Sequence, residues 1–249
     1  MLRVSSQTNI GKTRAVNQDT VFVSCEPIGP VPNLFIVADG MGGHNGGEIA
    51  SNAAIAHFCN HIKDSHAEPD GLLDLLMGAA HSANTSVLAQ AKDNPDLTGM
   101  GTTLTACTII NGKCVIVHIG DSRAYAITAD KTYQLTNDHS FVNEMVKAGQ
   151  ITQIEAREHP KRNILTKVLG INSEMSADGY VIDVKPDSVI LLCSDGLYNM
   201  VTEDEISVII KSAQESGQNS AEALVNAANA RGGTDNISVV VIDCKEVIP

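Results

Sequence analysis

Short apolar runs bounded by turn residues divide the chain and predict its β-strands. Two of these runs are separated only by Asn111-Gly112, the preferred sequence for a two-residue β-hairpin turn. The predicted strands are 20–24, 34–38, 103–110, 113–119, 123–128, 188–193 and 237–243.

Between the strands, longer segments are predicted to be helices. In one of them the apolar residues recur with the 3.6-residue period of an amphipathic helix, which places Leu72, Leu75, Leu76, Ala79, Ala83 and Val87 on one face. The predicted helices are 47–62, 71–92, 140–149, 152–158, 203–212 and 219–230.

The order of these elements favours an α+β fold with antiparallel sheets. Strands come in groups joined by tight turns with helices between the groups, whereas a doubly wound parallel sheet needs strands and helices to alternate. Segment 140–180 lies between two strand groups and contains only short helix candidates. We predict that it is an insertion on the surface.

Composition and charge narrow the possible partners. The 249 residues are 43% hydrophobic and 18% charged, which is ordinary for a folded chain of one large or two small domains. A formal net charge of −12 argues against nucleic acid and anionic membranes, because both need clustered Lys and Arg, and it leaves cation binding open. No apolar stretch approaches signal-peptide length near the start or the roughly 20 residues that span a bilayer. We therefore expect a cytoplasmic protein without direct membrane insertion.

The cysteines are predicted to be reduced. None of the six has zinc-ligand spacing. If Asn111-Gly112 closes a hairpin, Cys107 lies opposite Ile116, and Cys114 is only its diagonal neighbour at about 7–8 Å, beyond usual disulfide reach.

Several motifs of nucleotide binding and covalent catalysis are absent. Gly11-Lys12-Thr13 resembles the end of a P-loop, but Ser6 stands where the first Gly is required. The glycine-rich segment 40–46 has Asn45 where a dinucleotide-binding loop needs its last Gly. There is no G-x-S-x-G, and no Cys is followed six positions later by Arg. The sequence therefore gives no support to a nucleophilic Ser or Cys.

Five aspartates share one context, since each lies at the end of a strand run near Gly or another small residue. A single Asp-Gly at a strand end is ordinarily a turn. If five such ends converge, however, their like charges repel strongly unless a cation neutralises them. Oxygen ligands without His or Cys suit Mg²⁺ or Mn²⁺, and two such ions can activate water and clamp a phosphoryl group. The five are Asp19, Asp39, Asp121, Asp195 and Asp235.

Arg14 stands five residues before Asp19. A guanidinium beside a metal site offers a planar fork of donors for phosphate oxygens. The alternative interpretation is an exposed Arg in a surface ion pair.

Seven motifs in order along nearly the whole chain resemble those of the metal-dependent protein Ser/Thr phosphatases, the protein phosphatase 2C family, in its compact bacterial form. The resemblance implies an αββα sandwich of two antiparallel β-sheets flanked by helices, formed by residues 1–249 as a single phosphatase catalytic domain, with 140–180 as a flap beside the active site. The motifs are Arg14-Ala-Val-Asn-Gln-Asp19, Asp39-Gly-Met-Gly-Gly-His44, Gly101-Thr-Thr103, Gly120-Asp-Ser-Arg123, Leu135-Thr-Asn-Asp-His-Ser140, Ser194-Asp-Gly-Leu197 and Gly232-Gly-Thr-Asp-Asn-Ile237.

The resemblance also implies roles for the acidic residues. Asp39 would bridge two metal ions, the Gly40 carbonyl would ligate one of them, and Asp195 and Asp235 would hold the other. Asp19 would act through bound water, and Asp121 with Asp195 would form a weaker third site. The cofactor is therefore expected to be Mn²⁺ or Mg²⁺, as two core ions and a third.

By the same resemblance, Arg14 would bind the substrate phosphate and a metal-bridging hydroxide would attack phosphorus without a phosphoenzyme. Animal members carry a His, proposed as general acid, where this chain has Met41. His44 lies three residues further on and could protonate the leaving group, act in substrate binding, or cap the loop. His139 is expected to be a structural loop residue and His118 a core residue.

The function implied is a phosphoserine/phosphothreonine protein phosphatase that reverses a Ser/Thr kinase. Its expected partners are phosphorylated proteins and a cognate kinase, and it is expected to be a monomer. One alternative is a non-catalytic phosphoprotein-binding regulator of the same fold, although such a protein should have lost metal ligands. Another is a phosphatase for small phosphoesters or for one dedicated signalling protein.

Overall fold

Two antiparallel sheets lie face to face between layers of helices in the computed structural model, which describes residues 2–43 and 46–245. The strands are β1 (Arg3–Asn9), β2 (Asp19–Ser24), β3 (Leu34–Met41), β4 (Gly101–Thr102), β5 (Leu104–Ile110), β6 (Lys113–Ile119), β7 (Arg123–Ile127), β8 (Thr132–Gln134), β9 (Asp178–Asp183), β10 (Val189–Cys193) and β11 (Ile237–Asp243). The α-helices are α1 (Gly46–Lys63), α2 (Leu72–Asp93), α3 (Phe141–Lys147), α4 (Gln153–Glu158), α5 (Asp195–Tyr198), α6 (Glu203–Ser216) and α7 (Ser220–Ala230).

The strand order confirms the αββα sandwich. One sheet has the order β1-β11-β10-β7-β8, and the other has β2-β3-β5-β6-β9, with β4 paired to β3. Helices α1 and α2 pack on the second sheet, while α6 and α7 pack on the first.

The central strands are apolar on both faces, which explains why they appear in the sequence as continuous apolar runs. In β3, Leu34 and Ile36 face α1 and α2, whereas Phe35 and Val37 lie in the apolar layer between the sheets. In β11, Val239 belongs to the core under α6 and α7. Burial of this kind removes apolar surface from water on both sides of each sheet. Each Å² removed stabilises the fold by about 25 cal/mol.

The predicted hairpin is confirmed. Asn111 and Gly112 have φ angles of 49° and 71°, as a type I′ turn requires, and Ile110 pairs with Lys113. Cys107 lies opposite Ile116, and all six cysteines are free.

Four strands and a short α-helix of the described ranges were not predicted, and one of these strands, β4, has only two residues. Strands β1, β8 and β9 lie at or next to sheet edges with many exposed residues, and α5 has only one turn. Because β9 begins at Asp178, the last residues of the predicted insertion 140–180 belong to a sheet. The rest contains α3 and α4. The bridge Ser140↔Leu165 pairs two residues of the segment with each other, and the bridge Thr102↔Leu169 joins the segment to the body.

None of the helices in the described ranges is both long and apolar enough to cross a bilayer.

Candidate metal and phosphate site

Antiparallel register brings the functional strand ends to one end of the sandwich. Asp19 at the start of β2 pairs with Asp39 near the end of β3. The end of β10 and the start of β11 adjoin, since Cys193 pairs with Val239, and Asp195 and Asp235 therefore flank the same strand pair. These two residues and Asp121 all act electrostatically on Asp39. The sandwich thus brings all five predicted aspartates together.

Asp19 is buried, and only one of its oxygens is paired. Its Oδ2 accepts a hydrogen bond of 2.7 Å from the Ser194 hydroxyl, which itself accepts one of 2.9 Å from the Ser238 amide. The other oxygen, Oδ1, is buried and accepts no hydrogen bond from any described residue. A buried acceptor of this kind ordinarily has a partner, in many cases ordered water, and it therefore fits a metal-bound water.

Asp39 is held by its backbone. Its amide donates to Thr103 Oγ1 at 2.9 Å, and its carbonyl accepts from the Thr103 amide at 2.8 Å and from Thr102 Oγ1 at 3.0 Å. Thr103 Oγ1 is also 2.7 Å from Ser122 Oγ. The Gly101-Thr-Thr103 motif therefore fixes the backbone of Asp39, the candidate for the bridging ligand.

Gly40 follows at a point where two backbones meet. A Cβ on Gly40 would overlap the carbonyl groups of Gly47 and Gln18. Glycine therefore lets the end of β3 lie directly against the first turn of α1.

Gly120 has φ +103°, and a Cβ there would overlap the Thr103 side chain. It precedes Asp121, whose side chain is buried.

The carboxylates disfavour one another's charged forms. Burial, followed by the charges of Asp19, Asp195, Asp121 and Asp235, raises the pKa of Asp39 well above its usual range. Burial and neighbouring carboxylates likewise raise the pKa of Asp195 well above that range and the pKa of Asp19 to about 6. Burial and the charge of Asp138 raise the pKa of Asp121 to about 6, against the opposing effect of Arg123. A divalent cation would relieve this repulsion.

The donor set fits hard divalent cations. Only oxygen atoms are offered, as Mg²⁺ and Mn²⁺ prefer. Within the described ranges, no three side chains of Asp, Glu, His or Cys by themselves form a metal-binding group. Each ion would therefore complete its coordination with water and backbone oxygen, in keeping with the few carboxylates that Mg²⁺ usually takes from protein.

Arg14 contacts the cluster directly. Its Nη2 lies 2.7 Å from Asp235 Oδ2, while about half of its side chain (51%) remains exposed. The ion pair of the alternative interpretation therefore exists, but its partner is a carboxylate of the site itself. The exposed half leaves guanidinium donors open to a phosphate.

A buried asparagine holds the loop that carries Arg14. Asn236 Nδ2 donates to the carbonyls of Ile10 and Val16, both at 3.0 Å, and its Oδ1 accepts from the Gln18 amide at 2.8 Å. Sequence reasoning missed the positioning role of Asn236, Thr103, Ser122 and Ser194, although each stands in one of the motifs around the aspartates.

The structure bears differently on the three histidines considered in the sequence. His44 lies outside the described residues. His118 is fully buried and bonds Thr105 Oγ1 at 3.0 Å and the Asn137 carbonyl at 3.1 Å, as expected of a core residue. His139 Nδ1 accepts from the Gly120 amide at 3.1 Å, which agrees with a structural role in its loop.

Known proteins resemble this chain in both architecture and sequence. A family model described as protein phosphatase 2C matches residues 11–228. The serine/threonine phosphatase stp of Listeria innocua is 36% identical over 241 residues, covering 95% of this chain and 94% of that protein. A serine/threonine phosphatase structure from S. agalactiae has a TM-score of 0.90 at 32% identity, covering 98% of this chain and 99% of the other. The catalytic domain of the phosphatase PstP in complex with two manganese ions has a TM-score of 0.84 at 34% identity, covering 97% of each chain.

Proposed function

This chain belongs to the protein phosphatase 2C family and is a metal-dependent serine/threonine protein phosphatase, and from that premise we propose how its site acts and on what. Its reaction is hydrolysis of phosphoserine and phosphothreonine in proteins, and two bound divalent cations would supply the activated water that replaces the protein hydroxyl at phosphorus without a phosphoenzyme. The physiological result is reversal of a Ser/Thr kinase.

The ion ligands proposed are those that the family resemblance implies, and the cluster of carboxylates supports them. Asp39 would be shared by the two core ions, the Gly40 carbonyl would ligate one, Asp195 and Asp235 would hold the other, and Asp19 would act through bound water. Asp121 with Asp195 would hold a third, weaker ion. When bound, Mn²⁺ or Mg²⁺ lowers the pKa of water and neutralises phosphoryl oxygens.

The protein groups position the substrate. Arg14 offers its exposed guanidinium donors to the phosphate, and its bond to Asp235 keeps them beside the acidic cluster. Asn236 holds the loop in which Arg14 lies. His44 keeps three alternative roles: protonation of the leaving alkoxide, binding of substrate, or capping of its loop.

The chain acts as one catalytic domain over residues 1–249 and as a monomer, with 140–180 as a flap next to the site. Its partners are phosphorylated proteins and a cognate kinase. The convergence of five carboxylates around an unpaired buried Asp19 oxygen is the observation that carries the proposal.

The experiment that tests it is phosphate release from a phosphothreonine peptide with Mn²⁺, with Mg²⁺ and with excess EDTA, before and after thiol blockade. We expect release that requires metal and survives blockade. Folded protein that stays inactive in both metals would instead favour the non-catalytic regulator.

A second comparison tests the substrate class. Phosphopeptides of several sequences are compared with an aryl phosphate by kcat/KM. Higher values for the peptides support a protein phosphatase of broad use. A clear preference for the aryl phosphate would favour an enzyme for small phosphoesters.

A further inference from the structure

The hydroxyl of Tyr198 contacts Asp121 at two places. Tyr198 Oη lies 3.1 Å from the Asp121 carbonyl oxygen and 3.4 Å from its carboxylate Oδ2. Within residues 2–43 and 46–245, the hydroxyl has no other hydrogen-bond partner. One hydroxyl therefore steadies both the backbone and the carboxylate of the same aspartate.

Helix α5 links Tyr198 to the second carboxylate of the proposed third site. The helix begins at Asp195 and ends at Tyr198, so the two residues stand three positions apart on one turn. Residues at this spacing are neighbours on a helix surface. The same turn thus supplies Asp195 and the group that contacts Asp121.

The Tyr198 ring is itself fixed by an arginine. The Arg123 guanidinium carbon lies 3.7 Å from the centre of the ring, within the range of a cation–π interaction. Arg123 starts β7, two residues after Asp121. The arginine and the tyrosine that pack together therefore each lie within three residues of one carboxylate of the proposed third site, Asp121 or Asp195.

Arg123 cannot easily move, because its donors are occupied. Its Nε and Nη2 bond the Asp138 carboxylate at 2.9 and 2.7 Å, and its Nη1 donates to Tyr125 Oη at 2.9 Å. Such a two-point pair fixes the plane of the guanidinium. The ring of Tyr198 packs on that fixed plane.

We propose that Tyr198 is a positioning residue that sets the Asp121 carboxylate for the weaker third divalent cation, with Arg123 and Asp138 fixing its ring. The proposal rests on the third-ion assignment made above. It predicts that loss of the hydroxyl weakens the third ion while the two core ions bind as before.

The test is Tyr198→Phe, which removes the hydroxyl and keeps the ring under Arg123. Mn²⁺ binding to EDTA-stripped protein is measured by titration calorimetry, together with kcat as a function of Mn²⁺ concentration. We expect the tight binding events to be unchanged. The weak event and the half-maximal Mn²⁺ for turnover should move to about tenfold higher concentration, as is typical for loss of an outer-shell partner.

Two further variants make the result specific. Tyr133→Phe changes an exposed tyrosine on β8 and should behave as wild type. Asp121→Ala should abolish the weak event, and Tyr198→Phe in that background should change Mn²⁺ binding no further.

Two outcomes would overturn the proposal in different ways. Suppose that Asp121→Ala abolishes the weak Mn²⁺-binding event but that Tyr198→Phe binds Mn²⁺ like Tyr133→Phe. Tyr198 then has no positioning role, even if the melting temperature of the Tyr198→Phe protein falls. If Asp121→Ala itself leaves Mn²⁺ binding unchanged, the third-ion assignment fails, and the role of Tyr198 fails with it.

Discussion

At the scale of single residues, the site combines carboxylates that are unfavourable together until a cation joins them. Asp39 illustrates this, because four other aspartates act to raise its pKa. Asp39 stays in this cluster because hydrogen bonds between its backbone and Thr102 and Thr103 hold it in place. Removing one such charge should therefore harm function far more than stability.

Asp39→Asn tests this separation. We expect metal-dependent phosphate release to fall by more than about 100-fold, beyond the usual cost of losing an outer-shell partner. The melting temperature in EDTA should stay equal or rise, because a repelling charge has been removed. Phosphopeptide hydrolysis and thermal unfolding measure the two effects.

Asp130→Asn is the matched control, since Asp130 is exposed in the turn between β7 and β8, and it should leave both measurements unchanged. Activity of Asp39→Asn within tenfold of wild type would remove Asp39 from the proposed metal site.

Arg14 supports a prediction about substrate binding. Hydrogen bonds to charged groups contribute about 1.5–3 kcal/mol, and solvent reduces this for a half-exposed side chain. Arg14→Ala should therefore raise KM by about tenfold at saturating Mn²⁺, with a smaller effect on kcat. The KM of Arg14→Lys should lie between those of the wild type and Arg14→Ala, because lysine keeps the positive charge but lacks the planar fork of donors.

The control is Arg3→Ala, which changes an exposed arginine at the first position of β1, opposite Asp243 in the strand register. Its steady-state parameters should match wild type. An Arg14→Ala enzyme with unchanged KM would exclude a phosphate contact by this guanidinium.

At the scale of elements, the conformation of the loop before β2 depends on the residues just before β11, since Asn236 bonds Val16 across 220 positions of the chain. Asn236 bonds three backbone groups of residues 10–18, and the Lys12 amide donates to the Gly233 carbonyl at 2.7 Å. The position of Arg14 is therefore set by Asn236, the residue just before β11.

Asn236→Ala should show this dependence in two measurements. Unpaired buried groups cost about 1–3 kcal/mol each, and each kcal/mol lowers the melting temperature by about 2–4 °C for a chain of this size. The KM should rise in the same direction as for Arg14→Ala, and the double variant should not exceed Arg14→Ala alone.

Asn94→Ala is a suitable control, because Asn94 is an exposed asparagine whose side chain accepts a hydrogen bond from the Asp96 amide and so caps a short helical turn. A full additive increase of KM in the double variant would mean that Asn236 does not act through Arg14.

The same element scale shows what sequence reasoning reaches. The central strands were predictable because burial on both faces makes them continuous apolar runs, as in β3 and β11. The edge strands β1 and β9 were not, because their partly exposed residues give no such run. Strand β8 is only three residues long.

The site divides in a similar way. The aspartates were predictable because each follows or precedes a strand in a recognisable motif. Their supports were not, since Asp39 meets Thr103 across 64 positions and Asp19 meets Ser194 across 175. A hydroxyl's partner at such separation depends on sheet register, which one sequence does not specify.

At the scale of the whole molecule, the net charge is −12, and part of the repulsion among its carboxylates is concentrated at the proposed metal site. Burial raises the pKa of Asp19 and Asp121 to about 6, and burial with neighbouring carboxylates raises the pKa of Asp39 and Asp195 well above the usual range. Such groups stabilise the fold below their unfolded pKa, and this contribution is lost as pH rises through the folded pKa. His118 acts in the opposite sense, since burial lowers its pKa to about 4.

Comparing the protein with and without metal at each pH cancels the contribution of His118 and isolates the carboxylates. Cations compete with protons for these oxygens, so stabilisation by Mn²⁺ should grow as pH rises from about 5.5 to about 7.5. A tenfold gain in affinity adds about 1.4 kcal/mol, which corresponds to a melting temperature shift larger by about 3 °C or more at the higher pH. Thermal unfolding in Mn²⁺ and in EDTA measures it.

Asp39→Asn provides the reference for this experiment, because loss of the shared ligand should reduce the Mn²⁺ shift at every pH. A shift of equal size at both pH values in the wild-type protein would mean that these carboxylates do not exchange protons for metal. The acidic cluster would then have to be stabilised by other means, and the proposed assignment of the ions to Asp39, Asp195 and Asp19 would fail together.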